Sequence, residues 1–110
     1  MSVYVDDAAI RATVGRHNSR WSHLFADTRE ELHEFATRLG LRRAWFQEGP
    51  SYAKPGSPAA EMWHYDVTAS KRAQAIRMGA QAVTTRQGLN IIRARAGLPL
   101  WPEDAPKTRG

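Results

Sequence analysis

The sequence predicts a small single α/β domain with a mostly parallel sheet of about four short strands and three helices. Short β-favouring runs alternate with segments of helical periodicity, in the order β-β-α-β-α-β-α. Such alternation is typical of α/β domains with parallel strands. Helix-capping residues precede the helical segments and glycines follow them. The length of 110 residues is sufficient for one hydrophobic core but not for two.

The composition predicts a cytoplasmic globular protein without a membrane partner. Hydrophobic residues make up 42% of the chain and charged residues 25%, and no cysteine is available for a disulfide or a thiolate zinc site. No apolar run reaches the roughly 20 residues of a membrane span, and the N-terminus lacks the pattern of a signal peptide. The net charge of +5 is compatible with nucleic acid, a nucleotide or another polyanion, or with a general richness in arginine.

Three strands are predicted in the first half of the chain, at residues 3–5, 21–26 and 44–47. Residues 8–20 contain glycine, asparagine and serine at positions that interrupt any hydrophobic period, so this segment is predicted to be a loop. It carries cationic or titratable side chains without an acid: Arg11, Arg16, His17 and Arg20. The loop is therefore either a flap that contacts an anion or an ordinary solvated segment.

The first helix has the clearest signals of the chain. Thr28 and Glu31 form a capping box at its start, and Gly40 stands where a left-handed residue ends a helix. Its apolar stripe consists of Leu32, Phe35, Ala36 and Leu39. Because these residues recur at the helical period, they are predicted to face the core.

The middle of the chain changes composition. Residues 48–62 are rich in proline and glycine and are predicted to form an irregular insertion, either a tolerated surface loop or a lid over the following segment. The whole domain is expected to cover residues 1–102. Residues 103–110 are polar and are expected to be a frayed tail.

Two further helices and one strand are predicted after this insertion. Thr68 or Ser70 caps a helix that runs to about Met78, residues 81–85 form a strand, and residues 86–96 form the last helix. Free N–H groups and the helix dipole make the start of the middle helix a candidate anion site.

Polar residues of separate segments are predicted to meet at one edge of the sheet, because ligands of open α/β sheets bind beyond the carboxyl ends of strands. The expected members are Asp6, Asp7, Asp27, Gln47, His64, Tyr65 and Asp66. Structural roles remain open for several of them. Asp27 and Asp66 could accept hydrogen bonds from helix starts, and His23 and His64 could be core histidines.

Three kinds of site fit these residues. In the first, Lys71 and Arg72 bind a phosphate group while imidazoles transfer protons. The catalytic set would then comprise His23, His64, Asp27 and Asp66. In the second, the same groups only hold a nucleotide or another anionic small molecule, and an aromatic side chain stacks on a base. The third is a divalent metal site, which ranks last because no HxH, HxxxH or HxxEH spacing occurs.

The favoured function is therefore binding, with hydrolysis as a further step, of a phosphate-bearing ligand such as a nucleotide or a nucleic-acid end. No metal is expected, and no cofactor is indicated. The rim of the site would be completed by Asp7, Trp45, Gln47 and Tyr65. The alternative is a non-catalytic protein that binds nucleic acid or a partner, with contacts from Arg86, Arg93 and Arg95. Large apolar residues such as Trp21 and Trp101 could cover a homodimer surface or complete the core.

Several linked motifs resemble one known family. They are Tyr4-Val5-Asp6-Asp7, His23-Leu24-Phe25-Ala26-Asp27-Thr28, Trp45-Phe46-Gln47 and His64-Tyr65-Asp66 with Lys71-Arg72. Over about residues 3–88 the chain is similar to the domain of unknown function 4031 family, met in actinobacteria and tailed phages. The resemblance implies a compact α/β fold, and a host-cytoplasmic location if the protein is phage-encoded. It supplies no activity.

The family pattern also points to individual positions. Their equivalents in this chain are Asp7, His23, Asp27, Glu31, Trp45, His64, Asp66 and Arg72. The segment of residues 48–62 departs from this pattern, because it is shorter in many phage members. The resemblance therefore favours functional roles for the histidines and Asp66, and implies none for the proline-rich segment.

Overall fold

The computed structural model describes residues 2–102 and contains five strands and three α-helices. The strands are β1 (Val3–Val5), β2 (Ile10–Val14), β3 (His17–Ala26), β4 (Tyr65–Val67) and β5 (Gln81–Ala82). The helices are α1 (Arg29–Leu39), α2 (Ala69–Arg77) and α3 (Thr85–Arg95), with single 3₁₀ turns at Arg43–Trp45 and Pro58–Glu61. None of the helices in residues 2–102 combines the length and the apolar character needed to cross a bilayer.

The sheet is mixed rather than mostly parallel, and it has five strands rather than about four. β3 runs antiparallel to β1, β2 and β4, and β5 runs parallel to β1. Leu24 pairs with both Val5 and Tyr65, so β1 and β4 lie on opposite sides of β3. β1, β4 and β5 therefore share one direction, and their carboxyl ends meet at one edge of the sheet.

The prediction of a loop at residues 8–20 was wrong. These residues form β2 and the first part of β3, joined by a turn at Gly15 and Arg16 in which Gly15 has a φ of 59°. Glycine adopts this left-handed conformation without steric cost. Both strands of the hairpin are largely exposed, so their sequence lacks the alternation by which a half-buried strand is recognised.

The predicted strand at residues 44–47 was also wrong. Residues 43–45 form a 3₁₀ turn, and Gln47 makes only an isolated antiparallel bridge to His64. Thr28 and Thr68 are confirmed as caps, because their hydroxyl groups accept hydrogen bonds at the starts of α1 and α2. The predicted capping box is incomplete, because the Glu31 carboxylate accepts from the Thr28 hydroxyl instead of its main-chain N–H. Thr84 caps α3, which begins one residue earlier than predicted. The predicted tail at residues 103–110 lies outside the described residues.

The two faces of the sheet are covered by different helices. Leu24 and Ala26 of β3 join the apolar stripe of α1 and Ala75 of α2 in the main core. Successive side chains of a strand point to opposite faces, so His23 and Phe25 lie on the other face. There Gly88 of α3 is packed so closely against Phe25 that an added Cβ would lie 3.1 Å from the ring. α3 thus covers the face that bears His23.

Candidate functional site

His23 is held by the carboxylate of Asp6, which directly follows β1. Nδ1 of His23 lies 2.7 Å from Oδ2 of Asp6, and Oδ1 of Asp6 accepts hydrogen bonds from the main-chain N–H groups of His23 and Ala8 at 2.9 and 3.2 Å. An ionised carboxylate can only accept, so Nδ1 carries the hydrogen and Nε2 keeps its lone pair. Among residues 2–102, Nε2 of His23 has no hydrogen-bond partner.

This pairing shifts the pKa values of both residues so that the protonated imidazole and the ionised carboxylate are favoured. The hydrogen bond to Asp6 raises the pKa of His23, although burial opposes the shift. Burial alone would raise the pKa of Asp6, but the hydrogen bonds from the ring and main chain of His23 outweigh it and lower the pKa. The Asp6 side chain is only 8% exposed. Its charge is therefore stabilised by specific partners rather than by water.

His64, like His23, is oriented through its Nδ1 atom, but its partner is a main-chain group. Its Nδ1 lies 2.8 Å from the carbonyl oxygen of Met62, which can only accept, so the hydrogen is on Nδ1. Its Nε2 lies 3.2 Å from Oδ1 of Asp66. Two electron-rich atoms this close require a cation between them. That cation is either a proton on Nε2 or a metal ion.

Asp66 is placed by the sheet and by one amide. β4 pairs with β3 so that Asp66 lies directly opposite His23. The side chain of Gln47 donates a hydrogen bond to Oδ2 of Asp66, and the main chain of Gln47 exchanges two hydrogen bonds with His64. The hydrogen bond from His64, followed by that from Gln47, lowers the pKa of Asp66 against the effect of burial. Asp66 is therefore a fixed carboxylate with Oδ1 turned towards the imidazoles.

The three side chains form one cluster, here called the His–Asp cluster: His23, His64 and Asp66. The two rings lie edge to face, with centroids 4.9 Å apart. One potential ligand atom from each residue lies within 4.8 Å of the other two. Ligands at 2.0–2.2 Å from a tetrahedral zinc ion are about 3.3–3.5 Å apart. The spacing between Nε2 of His64 and Oδ1 of Asp66 already fits, and small side-chain rotations bring the third ligand into range.

A cleft of about 110 Å³ opens beside the cluster, between the sheet and α3. Its walls are mostly apolar and include Phe25, Met62, Trp63, Gly88, Leu89 and Ile92. Its polar groups come from Asp6, His23, His64 and Thr85. A cleft of this size has room for a few waters or one phosphoryl-sized group. A larger ligand would extend onto the outer surface.

Other residues that the sequence assigned to the site make different contacts. Asp27 accepts a hydrogen bond from the hydroxyl of Tyr4 at 2.8 Å, and the carboxylate beside His23 is that of Asp6. Nζ of Lys71 donates to the carbonyl oxygen of Leu39 at 2.7 Å, where it completes the C-terminal end of α1. Lys71 is thus engaged on the opposite face of the sheet from the cluster, and Asp27 lies past the far end of β3.

The predicted rim is only partly assembled. Gln47 reaches the cluster through Asp66, whereas Asp7 caps α3 by accepting hydrogen bonds from the N–H and hydroxyl of Thr85. Tyr65 is buried, and its hydroxyl meets Nδ1 of His33 at 2.8 Å. Trp45 is 49% exposed. Arg72 does not line the cleft, but it contacts the residue that orients His23, because its Nε donates to the carbonyl oxygen of Asp6 at 2.8 Å.

Sequence reasoning missed the positioning groups of the two imidazoles. Asp6 was expected at this edge of the sheet, but its pairing with His23 was not, because that pairing depends on the register between β1 and β3. The carbonyl group of Met62 has no side-chain signature at all. Of the arginines assigned to a nucleic-acid surface, Arg93 donates through Nε to the carbonyl of Pro99, and Arg95 donates to that of Ala26.

The comparisons with known proteins bear on the family but not on the chemistry. Neither the curated proteins nor the solved structures give a match. The family described as "Protein of unknown function (DUF4031)" matches residues 3–95. This range holds most of the chain, including every residue of the His–Asp cluster. The chain therefore belongs to the DUF4031 family, the domain of unknown function 4031.

Proposed function

We propose that the His–Asp cluster binds one divalent metal ion, with Zn²⁺ as the best match, and that this centre hydrolyses a phosphate-bearing ligand. One observation supports the proposal above all others. Each of the three side chains is fixed at one atom by Asp6, Met62 or Gln47, and one potential ligand atom from each lies within 4.8 Å of the other two. Metal-ligating histidines are oriented by such outer hydrogen bonds, commonly to carboxylates and carbonyls.

The donor set itself favours a catalytic rather than a structural ion. Catalytic zinc sites use three nitrogen or oxygen ligands from the protein and leave a position open for water or substrate. Two imidazoles and one carboxylate meet that pattern, and the same set also suits other first-row ions such as Fe²⁺ and Mn²⁺. The expectation of no metal came from local spacing. His23 lies on β3 and the other two ligands lie at or beside β4, so no short motif links them.

The metal would lower the pKa of a bound water towards neutrality and polarise a phosphoryl oxygen. In the hydrolysis, the oxygen of this water would attack phosphorus, and the bond from phosphorus to the leaving oxygen would break. One water proton would pass to the leaving oxygen, and the other would be left on the phosphate product or released to solvent. With a ligand bound, the apolar walls of the cleft would limit the access of bulk water. Such exclusion strengthens electrostatic interactions at the reacting group.

The basic character of the chain supports a phosphate-bearing ligand. The net charge is +5. Arg72 is anchored to the main chain of Asp6 through Nε, and the terminal nitrogens of its guanidinium group have no hydrogen-bond partner among residues 2–102. A guanidinium group matches the geometry of phosphate oxygens. Arg72 is therefore the residue that we expect to hold the anion, whereas Lys71 is expected to have a structural role.

Hydrolysis assays on the metal-loaded protein test this proposal. Phosphate monoesters and diesters with a nitrophenyl leaving group, nucleotides and cyclic dinucleotides would be supplied with Zn²⁺, Mn²⁺ or Fe²⁺. We compare His64→Gln with His17→Gln, which removes an exposed imidazole at the start of β3, outside the cluster. We expect turnover in the wild type and in His17→Gln, and at least a hundredfold lower rate in His64→Gln.

The outcomes separate binding from catalysis. Turnover that needs the metal and disappears on chelation supports the proposal. Turnover that persists in His64→Gln, or in the presence of a chelator, overturns the assignment of the cluster as the active site. Metal binding without turnover on any of these substrates overturns the hydrolase and leaves a metal-binding protein.

A further inference from the structure

The hairpin of β2 and β3 forms a projecting surface, here called the basic ribbon, residues 10–21. All five residues of β2 are exposed, as are most of those that they pair with. The ribbon carries Arg11, Arg16 and Arg20, and there is no acidic residue between Ala8 and Ala26. The ribbon therefore presents a positively charged surface, and no acidic side chain within the hairpin neutralises it.

The register of the ribbon places two of these charges directly against each other. Arg11 pairs with Arg20 across the two strands. Like charges in directly opposite positions destabilise an antiparallel pair. Among residues 2–102 no carboxylate forms an ion pair with either of them. A polyanion lying along the ribbon would remove this repulsion and take the place of the missing acids.

We propose that the basic ribbon binds the phosphate backbone of a nucleic acid. A two-stranded ribbon fits the major groove of a duplex, and a basic surface can also follow the phosphates of a single strand. His17 and Trp21 meet edge to face on one side of the ribbon, with ring centroids 6.4 Å apart. A duplex and a single strand both present a row of phosphates, and binding measurements with each kind of nucleic acid distinguish between them.

The ribbon and the proposed metal centre share the strand β3. Trp21 and His23 lie on the same strand two residues apart, so they face the same side of the sheet about 7 Å from each other. The turn at Arg16 lies about 23 Å from His23 along β3. Arg20 and its partner Arg11 lie on the opposite face of the ribbon from Trp21 and His23. A nucleic acid held by these two arginines would therefore reach the cleft only by passing around the edge of the sheet.

Binding of nucleic acid by the ribbon does not depend on the metal centre. The further idea that the bound nucleic acid is the substrate of that centre rests on the proposed function. Removal of the metal centre would leave binding to the ribbon intact. Removal of the ribbon charges would leave hydrolysis of a small nitrophenyl ester intact. The two proposals can therefore fail separately.

The test measures anisotropy of labelled 20-nucleotide single-stranded DNA, duplex DNA and single-stranded RNA over a range of salt concentrations. The test variant is Arg11→Gln/Arg16→Gln/Arg20→Gln. The control is Arg38→Gln/Arg42→Gln/Arg77→Gln, which removes the same charge from three other exposed positions. Both variants lower the net charge from +5 to +2. Circular dichroism checks that each variant folds.

We expect the wild type to bind at least one of the three probes with an affinity that falls steeply with salt. In the ribbon variant, the slope of log K against log salt should decrease by about 2–3, because each lost phosphate contact removes about 0.7–0.9. The control should keep most of the slope. An equal loss in both variants, or no binding of any probe at low salt, overturns the proposal. If the triple variant does not fold, Arg16→Gln at the turn should lower the slope by about 1, and an unchanged slope again overturns it.

Discussion

Replacement of Asp6 by asparagine should weaken metal binding without removing a ligand. The main-chain N–H groups of His23 and Ala8 donate to Oδ1 of Asp6, so the asparagine oxygen is expected to stay there. The amide NH₂ group then faces Nδ1 of His23, which must become an acceptor. The hydrogen moves to Nε2, and the imidazole no longer offers a lone pair to the cluster.

The expected magnitude follows from the role of Asp6 as an outer partner. Loss of such a partner typically lowers metal affinity 10- to 100-fold, which corresponds to about 1.4–2.7 kcal/mol. Competition with a chromophoric chelator measures the zinc affinity. Long-range nitrogen–proton NMR spectra of the metal-free protein identify the tautomer of His23.

Asp27→Asn is the matched control, because Asp27 contacts the hydroxyl of Tyr4 and not an imidazole. We expect its zinc affinity to equal that of the wild type. The reasoning would be refuted if Asp6→Asn bound zinc as tightly as the wild type, or if its affinity fell while His23 kept the hydrogen on Nδ1.

Three further changes test the ribbon, the helix over the cleft and the charged pair. Arg11→Glu should replace repulsion from Arg20 by attraction and raise the Tm by about 1–6 °C, yet weaken nucleic-acid binding; a lower Tm at unchanged secondary structure would contradict the register argument. Gly88→Ala gains up to about 1 kcal/mol of helix propensity but places a Cβ 3.1 Å from the buried Phe25 ring, at a cost of about 1–3 kcal/mol. Urea unfolding should therefore show a net loss of stability, and a gain would mean that α3 is not held against the sheet as described. In the metal-free protein the raised pKa of His23 means that its protonated form stabilises the fold fully below the unfolded pKa of about 6.5, and that this contribution is lost as pH rises through the folded pKa. The Tm difference between wild type and His23→Gln should be larger at about pH 5.5 than at about pH 8.5, and an equal or reversed difference would contradict the pairing.

The helices could be predicted because their signals are local. Thr28, Glu31 and Gly40 mark α1 within its own sequence, and in the structure Thr28 and Gly40 cap the helix. The sheet could not be predicted in the same way. The hairpin at residues 10–21 is exposed on both faces, so it has no hydrophobic alternation, and its strands are defined only by their pairing.

The proximity of His23 and His64 was expected from strand ends converging at one edge, although the expected sheet was parallel. In the structure, antiparallel pairing of β3 with β4 sets Asp66 opposite His23. The identity of the orienting groups could not be derived, because it depends on register and on a carbonyl oxygen. A three-ligand cluster drawn from two strands also leaves no spacing motif, which is why metal ranked last.

The most direct measurement for the His–Asp cluster is its metal stoichiometry. Wild type, His17→Gln and His64→Gln are each dialysed against Zn²⁺, and bound zinc is measured by elemental analysis beside protein concentration. We expect one zinc ion per chain in the wild type and in His17→Gln, and none retained by His64→Gln at the same free zinc. Absence of bound zinc in the wild type, or an equal amount in all three proteins, would contradict the central claim that His23, His64 and Asp66 form one metal centre.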